Sequence, residues 1–221
     1  MPKGPMAPSR ETLIQSLSSA VFTPVKGEHP NPTDSGYLLC RKARQLLGVP
    51  ENRIVDTSDA LSHAYDGRPI VFLDDFVGSG DQFLTTWTRD MNGRSFQGAH
   101  SITGFTAIYI TLVTTELGLN AIRSNAPQVA VCAAHVLDKK STVFGIDAEP
   151  EVIKNIESIL TKYSARLTPK EDYMTATTQY RTFGYKKVGL MFGFEHSIPD
   201  ATLPIFWSPG TNNWEPLIER V

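Results

Sequence analysis

A doubly wound, mostly parallel α/β sheet of about five strands, with helices on both faces and an aromatic-rich C-terminal cap, is the fold class this sequence predicts. Three observations carry the prediction. IVFLDD (70–75), TAIYITLVTT (106–115) and QVAVCAAHVL (128–137) are apolar runs of strand length without polar alternation, the pattern of strands buried on both faces. Segments of helical periodicity lie between them. The first run ends in two acids, Asp74 and Asp75, and a small-residue stretch, Gly78, Ser79 and Gly80, follows at once.

The elements follow in chain order. Ser9 is placed to cap a first helix carrying Leu13, Ile14, Leu17 and Val21 at helical spacing. VFTPV (21–25) has the composition of a short strand, and KGEHPNPTDSG (26–36) that of a turn-rich loop. YLLCRKARQLLG (37–48) reads as a helix with Leu38, Leu39, Ala43, Leu46 and Leu47 on one side. Gly48 stands where a helix end favours glycine, and Pro50 prevents continuation. NRIVDTS (52–58) holds a candidate short strand, and ALSHAYDG (60–67) a short helix and turn. After the acids, 81–91 reads as a helix, 106–115 as a strand, 116–125 as a helix and 128–137 as a strand. The longest predicted helix, 149–167, sets Val152, Ile153, Ile156, Ile159, Leu160 and Tyr163 on one face. The predicted division is an N-terminal arm and helix (1–20), an α/β domain (21–180) and a cap packed on it (181–221).

The chain of 221 residues is long enough for one α/β domain with a substantial core. Its 41% apolar and 20% charged residues are globular values, and a net charge of −2 gives no global attraction to nucleic acid or anionic lipid. The two cysteines, Cys40 and Cys132, lie in apolar segments and read as buried free thiols, with no Cys/His spacing for zinc. The N-terminus lacks an apolar signal core, and no apolar stretch approaches membrane-spanning length, so a cytoplasmic protein with no membrane partner is expected.

The chemistry concentrates in IVFLDDFVGSGDQF (70–83). Ligands of open parallel sheets bind beyond the carboxyl ends of the strands. There a Gly/Ser loop leading into a helix lets backbone N–H groups converge on an anion, with the helix dipole adding to them. Two acids beside such a loop suit a ligand with hydroxyls or a metal ion at one end and a phosphate at the other.

This stretch resembles the PRPP-binding motif of type I phosphoribosyltransferases: an apolar strand, two acids, two residues, then a small-residue loop. The resemblance implies a type I phosphoribosyltransferase-like fold. Asp74 and Asp75 would face the ribose hydroxyls directly or through substrate-bound magnesium, and Val77, Gly78, Ser79, Gly80, Asp81 and Gln82 would hold the 5-phosphate. TDSGYLLCRKARQLLGVP (33–50) resembles the same family's pyrophosphate-loop region, which would put Thr33, Asp34, Ser35 and Gly36 near the pyrophosphate. The sequence departs from the family at Asp81 and Gln82, where small or hydroxyl residues are usual. It also lacks a basic motif for the pyrophosphate, leaving Arg41, Lys42, Arg53 and Arg68 as candidate cations. The tail FEHSIPDATLPIFWSPGTNNW (194–214) resembles phosphoribosyltransferase-like proteins of bacterial conflict systems, including retron-associated anti-phage operons. That likeness implies a defence role. The family resemblance further implies a homodimer, and the likeness of the tail a partner protein or nucleoprotein of a defence operon.

Two functions from different classes follow: an enzyme acting at the anomeric carbon of PRPP or a related ribose 5-phosphate, and a non-catalytic sensing module for the same ligands. Residue-level alternatives stand beside them. The acids could cap a turn, though a Walker-B role lacks its GxxxxGK[ST] partner. TDSG could be a plain helix cap. His135, near the end of its strand with Asp138 three residues on, is either a core histidine with a hydrogen-bond partner or a catalytic group. His196, beside Glu195, could be a base, a partner contact or neither. Phe192, Phe194, Phe206, Trp207 and Trp214 are expected to pack the tail on the sheet rather than stack a base. Asn212 and Asn213 are expected to form a turn, and Lys139 and Lys140 a solvated one.

Overall fold

The computed structural model describes residues 18–26, 35–168, 177–195 and 197–218. The helix expected after Ser9, most of the 26–36 loop with Thr33 and Asp34, and His196 lie outside the described residues. The chain divides into two compact units, Met1–Val136 and Leu137–Val221.

In the first unit, four strands form one parallel sheet in the order β1 (Val21–Pro24), β2 (Ile70–Val77), β3 (Ala107–Thr115) and β4 (Val129–Leu137). The register pairs Val21 with Ile70 and Ile70 with Ala107. The helices are α1 (Ser35–Leu47), α2 (Thr57–Tyr65), α3 (Asp81–Thr88), α4 (Phe96–Thr103) and α5 (Glu116–Asn125). The segment expected to hold a further strand contributes one rung. Ile54 bridges Phe22 in parallel, and the Val55 N–H donates to the Phe22 carbonyl at 2.9 Å. Phe22 already pairs with Val71, so Ile54 lies on the other side of β1. The chain therefore runs from β1 outward to Ile54 and back across β1 to β2.

The pleat of β2 explains its unbroken apolar run. Ile70 and Phe72 enter a core with Ala60 and Leu61 of α2, Phe83 and Trp87 of α3, Phe96 of α4 and Ile122 of α5. Val71 and Leu73 point the other way, into a core with Cys40 and Ala43 of α1 and with Phe22 and Ile108. Helices thus cover both faces, as expected. Gly48, at φ +66°, ends α1 in the left-handed conformation anticipated for it.

Several expectations are corrected. In α1, Leu46 and Leu47 are exposed, because the helix meets the sheet through Cys40 and Ala43. β4 is an edge strand whose apolar run is not a mark of full burial: Val129 is buried, whereas Cys132, Ala134, His135 and Val136 are exposed. Cys132 is therefore a surface thiol and only Cys40 is buried. His135, for which a core histidine was one of the two readings, is exposed.

In the second unit, α6 (Pro150–Ser164) and α7 (Thr178–Phe183) pack with the aromatic tail. Val143, Leu160 and Leu203 form a core with Ile156, Phe183, Ile205 and Phe206. Val152 and Ile159, expected on the buried face of α6, are exposed. Trp207 is buried against Ile198 and Phe206, and its indole N–H donates to the Thr202 carbonyl at 3.1 Å. Asn212 and Asn213 take positive φ in a turn, and Lys139 and Lys140 lie exposed in another. Among the described residues, no helix is long and apolar enough to cross a membrane.

Candidate functional site

The sheet order locates a candidate site. With the Ile54 rung counted, the chain moves in opposite directions on the two sides of the β1–β2 pair. Such a reversal opens a crevice beyond the carboxyl ends of the two strands.

β2 extends further than the sequence suggested. Its pairing with β3 continues through Asp74–Thr111, Phe76–Val113 and Val77–Thr114. The two acids thus lie inside the strand, and the pleat sends them to opposite faces. Asp74 falls in the row of Ile70 and Phe72, Asp75 in the row of Val71 and Leu73. Both are buried, at 2% and 5% exposure.

Asp74 has specific protein partners. The Tyr109 hydroxyl donates to its Oδ2 at 3.0 Å, and the backbone N–H of Asp75 donates to its Oδ1 at 3.0 Å. Tyr109 comes from β3 and stacks on Phe83 of α3, with ring centroids 4.2 Å apart. Burial, and then the charge of Asp74, pushes the Tyr109 phenol well above its usual range, so the proton stays on Tyr109.

The loop after β2 is braced from behind. Gly80 caps α3 with φ +85°, and a Cβ there would lie 3.0 Å from the Gly118 carbonyl oxygen. Both conformation and space therefore demand glycine. The Thr115 hydroxyl donates to the Gly78 carbonyl and accepts from the Gly118 N–H at 3.0 Å, so it caps α5 and pins the loop together. Ser79 Oγ accepts from the Asp81 N–H at 3.3 Å. Asp81 and Gln82 form the first turn of α3, where the Asp81 carboxylate complements the positive end of the helix dipole.

Of the upstream tetrad, Ser35 and Gly36 begin α1, while Thr33 and Asp34 lie outside the described residues. Gly36 touches the ends of both central strands. A Cβ there would stand 3.0 Å from Pro24 Cβ and the Val25 carbonyl oxygen, and 3.1 Å from the Leu73 carbonyl oxygen. Glycine lets the α1 N-terminus close on the crevice.

Among the described residues, a cation at this edge is Lys26, two residues beyond β1. Its ammonium pairs with Asp56 and lies 6.0 Å from the Tyr37 ring centroid, and its carbonyl accepts from the Thr86 hydroxyl at 3.4 Å. Burial alone would lower the Lys26 pKa, but the hydrogen bonds and charges of Asp56 and Tyr37 outweigh it and raise the value. Burial would raise the Asp56 carboxyl; the Lys26 bond, the Thr57 N–H, the Lys26 charge and Ser58 together bring it below its usual value. In the sequence Lys26 opens a turn-rich loop. Its one signal was position, directly after a strand and before TDSG.

The cations expected from sequence lie elsewhere. Arg41 and Lys42 are exposed on α1, and Arg53 closes a short turn after it. Arg68 precedes β2 at the opposite, amino end of the sheet, bonded to His63 Nδ1 and the Ser19 carbonyl. His135 sits on β4, with β3 between it and the acids. Among the described residues, no group of three His, Cys, Asp or Glu side chains could hold a metal ion. The carboxylates of this site are Asp74 and Asp75, both buried. That set fits an ion carried by substrate oxygens and water rather than one caged by the protein.

A protein-family model described as PRTase-CE matches residues 5–220. The comparison with curated proteins found no match.

Proposed function

Because the chain belongs to the PRTase-CE family, a phosphoribosyltransferase-like family, we propose that its crevice beyond β1 and β2 binds PRPP or a related ribose 5-phosphate compound. The observation that carries this reading is the chain reversal at Ile54. Gly36, Lys26 and the 78–80 loop stand at neighbouring strand ends, with Asp75 two residues inside the end of β2.

In this reading, the backbone N–H groups of residues 78–82 and the start of α3 receive the 5-phosphate. Asp75 addresses the ribose hydroxyls. Ser35, Gly36, the α1 N-terminus and Lys26 receive the pyrophosphate. Magnesium, carried in on the substrate, would neutralise phosphate charge beside Asp75. The protein's contribution to transfer or cleavage at the anomeric carbon is to hold the sugar and stabilise the positive charge of an oxocarbenium-like transition state. This reading gives no role to His135, which lies on β4 with β3 between it and the acids.

A second reading, sensing without turnover, is favoured by specific observations. Both acids are buried, both Asp74 oxygens accept bonds from the protein, and Asp81 adds negative charge at the phosphate loop. A defence role remains a proposal resting on the likeness of the tail, and the neighbouring genes test it.

The deciding experiment titrates wild type and Asp75→Asn with PRPP and magnesium, following heat, melting temperature and pyrophosphate release. Binding with release that Asp75→Asn abolishes supports the enzyme. Binding without release supports the sensor. No binding and no rise in melting temperature at millimolar PRPP refutes both.

A further inference from the structure

β4 is the last strand of the sheet order and, among the described residues, pairs with β3 alone. Such an edge presents a row of backbone N–H and C=O groups to any strand that reaches it. Proteins ordinarily blunt it with lysine, proline or an inward charge. Val129–Leu137, VAVCAAHVL, has no proline, lysine, arginine or acid. Its beginning is anchored: Val129 is buried in the core shared with α2, α3, α4 and α5, and Val131 packs against that core. Further along, both faces open. Cys132, Ala134 and Val136 are exposed on one face and His135 on the other. By the same alternation Cys132, Ala134 and Val136 lie on the α1 face of the sheet. Leu112 of β3, also exposed, shares that face, because Ile108 and Ile110 of its row pack in the α1 core.

From this edge we infer that β4 is the seam of a two-fold dimer: β4 of a second copy pairs antiparallel with it about an axis at Ala134, and the two sheets become continuous. The inference is independent of what the crevice binds. The composition of the strand selects the occupant. A two-fold axis sets a strand against itself, so a charge near the axis meets its own kind, and like charges placed opposite each other destabilise the pair. A strand without charge tolerates its own copy. Ala134 is the centre of the exposed stretch 132–136. With the axis there, Cys132 faces Val136 of the second copy, Ala133 faces His135, and Val131 faces Leu137. The small side chain at the axis lets the strands approach. Val136, 49% exposed in the single chain, gains an apolar neighbour. Pairing over this length makes a small interface, below about 1,200 Å² in total, so association of roughly micromolar strength is expected.

Sedimentation equilibrium of the full chain, from low micromolar to submillimolar concentration, tests the seam. Wild type should pass from monomer to dimer across that range. Ala134→Lys sets two ammonium groups at the axis and should stay monomeric throughout. Its melting temperature in dilute solution should match wild type, because residue 134 is exposed in the single chain. The double variant Cys132→Ser, Ala134→Cys moves the exposed thiol to the axis. With diamide as oxidant, two such thiols give up two electrons and two protons and should form an intermolecular disulfide. Wild type should link far more slowly, since its two Cys132 thiols would stand roughly 14 Å apart along the paired strands, beyond the reach of a disulfide.

Wild type that stays monomeric at every concentration overturns the inference. A wild-type dimer that a folded Ala134→Lys leaves intact also overturns it, since the copies would then meet elsewhere. If Ala134→Lys fails to fold, the crosslink decides: linking of the Cys132→Ser, Ala134→Cys variant in preference to wild type supports the pairing, and linking of wild type as fast or faster refutes it.

Discussion

Gly118 stands so close to Gly78 that a Cβ on Gly118 would lie 2.5 Å from the Gly78 carbonyl oxygen and 2.9 Å from Val77 Cγ1. The first turn of α5 is therefore the floor of the candidate phosphate loop. The two are joined by one hydroxyl, Thr115, which touches both.

Replacing Gly118 with alanine tests this floor. Gly→Ala within a helix ordinarily stabilises, by about 1 kcal/mol. Here the added methyl meets backbone that cannot step aside, and overpacking of that kind costs about 1–3 kcal/mol. The expected outcome is a lower midpoint in urea unfolding and weaker PRPP binding, as the loop is lifted. Thr115→Val should act in the same direction by removing cap and pin, while Thr115→Ser should stay near wild type. A more stable Gly118→Ala protein would show that the loop does not rest on α5.

The Lys26–Asp56 pair makes a prediction of opposite signs for stability and binding. Asp56 sits below the usual carboxyl range. Its stabilising share is therefore present above that range and fades as pH falls through the folded-state value. Lys26 sits above the usual lysine range. Its share is present below that range and fades as pH rises through the folded-state value. The pair thus acts across the neutral window. Because Asp56 is 45% exposed, its worth is that of a partly screened pair, about 0.5 kcal/mol. Asp56→Asn should lose that small amount and flatten the acid limb of a stability–pH curve. It should also release the ammonium toward an anionic ligand and tighten PRPP binding about twofold. Lys26→Met should weaken binding and reduce its salt dependence.

The two thiols should differ sharply in reactivity. Cys132 is exposed on β4, while Cys40 is buried beneath α1 and burial pushes its thiol up to about 12. At pH 8, a disulfide reagent should modify one thiol quickly and the second only on unfolding. Cys132→Ser should remove the fast phase, and its persistence would mean that α1 does not shield Cys40.

Where the apolar pattern is long and faced by helices, sequence and structure agree. β2, β3 and α5 lie within a residue or two of expectation, and Gly48 ends α1 as foreseen. β4 misled because VAVCAAHVL is as apolar as a central strand, and only the sheet order reveals an edge. α4 was not foreseen: FQGAHSIT carries a glycine and few large apolar side chains, and it gains its stability from burying Phe96 and Ala99. Ile54 is a single rung, too short to leave a periodic signal, yet it decides where the crevice lies. The acids and the glycines of the loop were legible as residue types. The bond that holds Asp74 was not, because it depends on a register that sets Tyr109, 35 residues away, against Asp74. Lys26 was missed for the same reason, since its role comes from Asp56 and Tyr37 meeting it in space.

Asp81 offers the sharpest test of the anion cradle. It occupies the first helical position of α3, where the family resemblance would have a small residue receive the 5-phosphate. Its carboxylate stabilises the helix start by about 0.5 kcal/mol and repels any phosphate arriving at the same N–H groups. Asp81→Asn removes the charge and keeps the shape. Stability should fall slightly. Affinity for PRPP should rise roughly fivefold, the equivalent of about 1 kcal/mol of relieved repulsion in a half-buried site. The gain should shrink in high salt, because the interaction is screened. If Asp81→Asn binds PRPP no better than wild type while losing stability, the carboxylate points away from the ligand and the phosphate does not sit at the start of α3. If affinity rises as stability falls, this residue trades ligand affinity for helix stability, the balance expected of a sensor tuned to high ligand concentration.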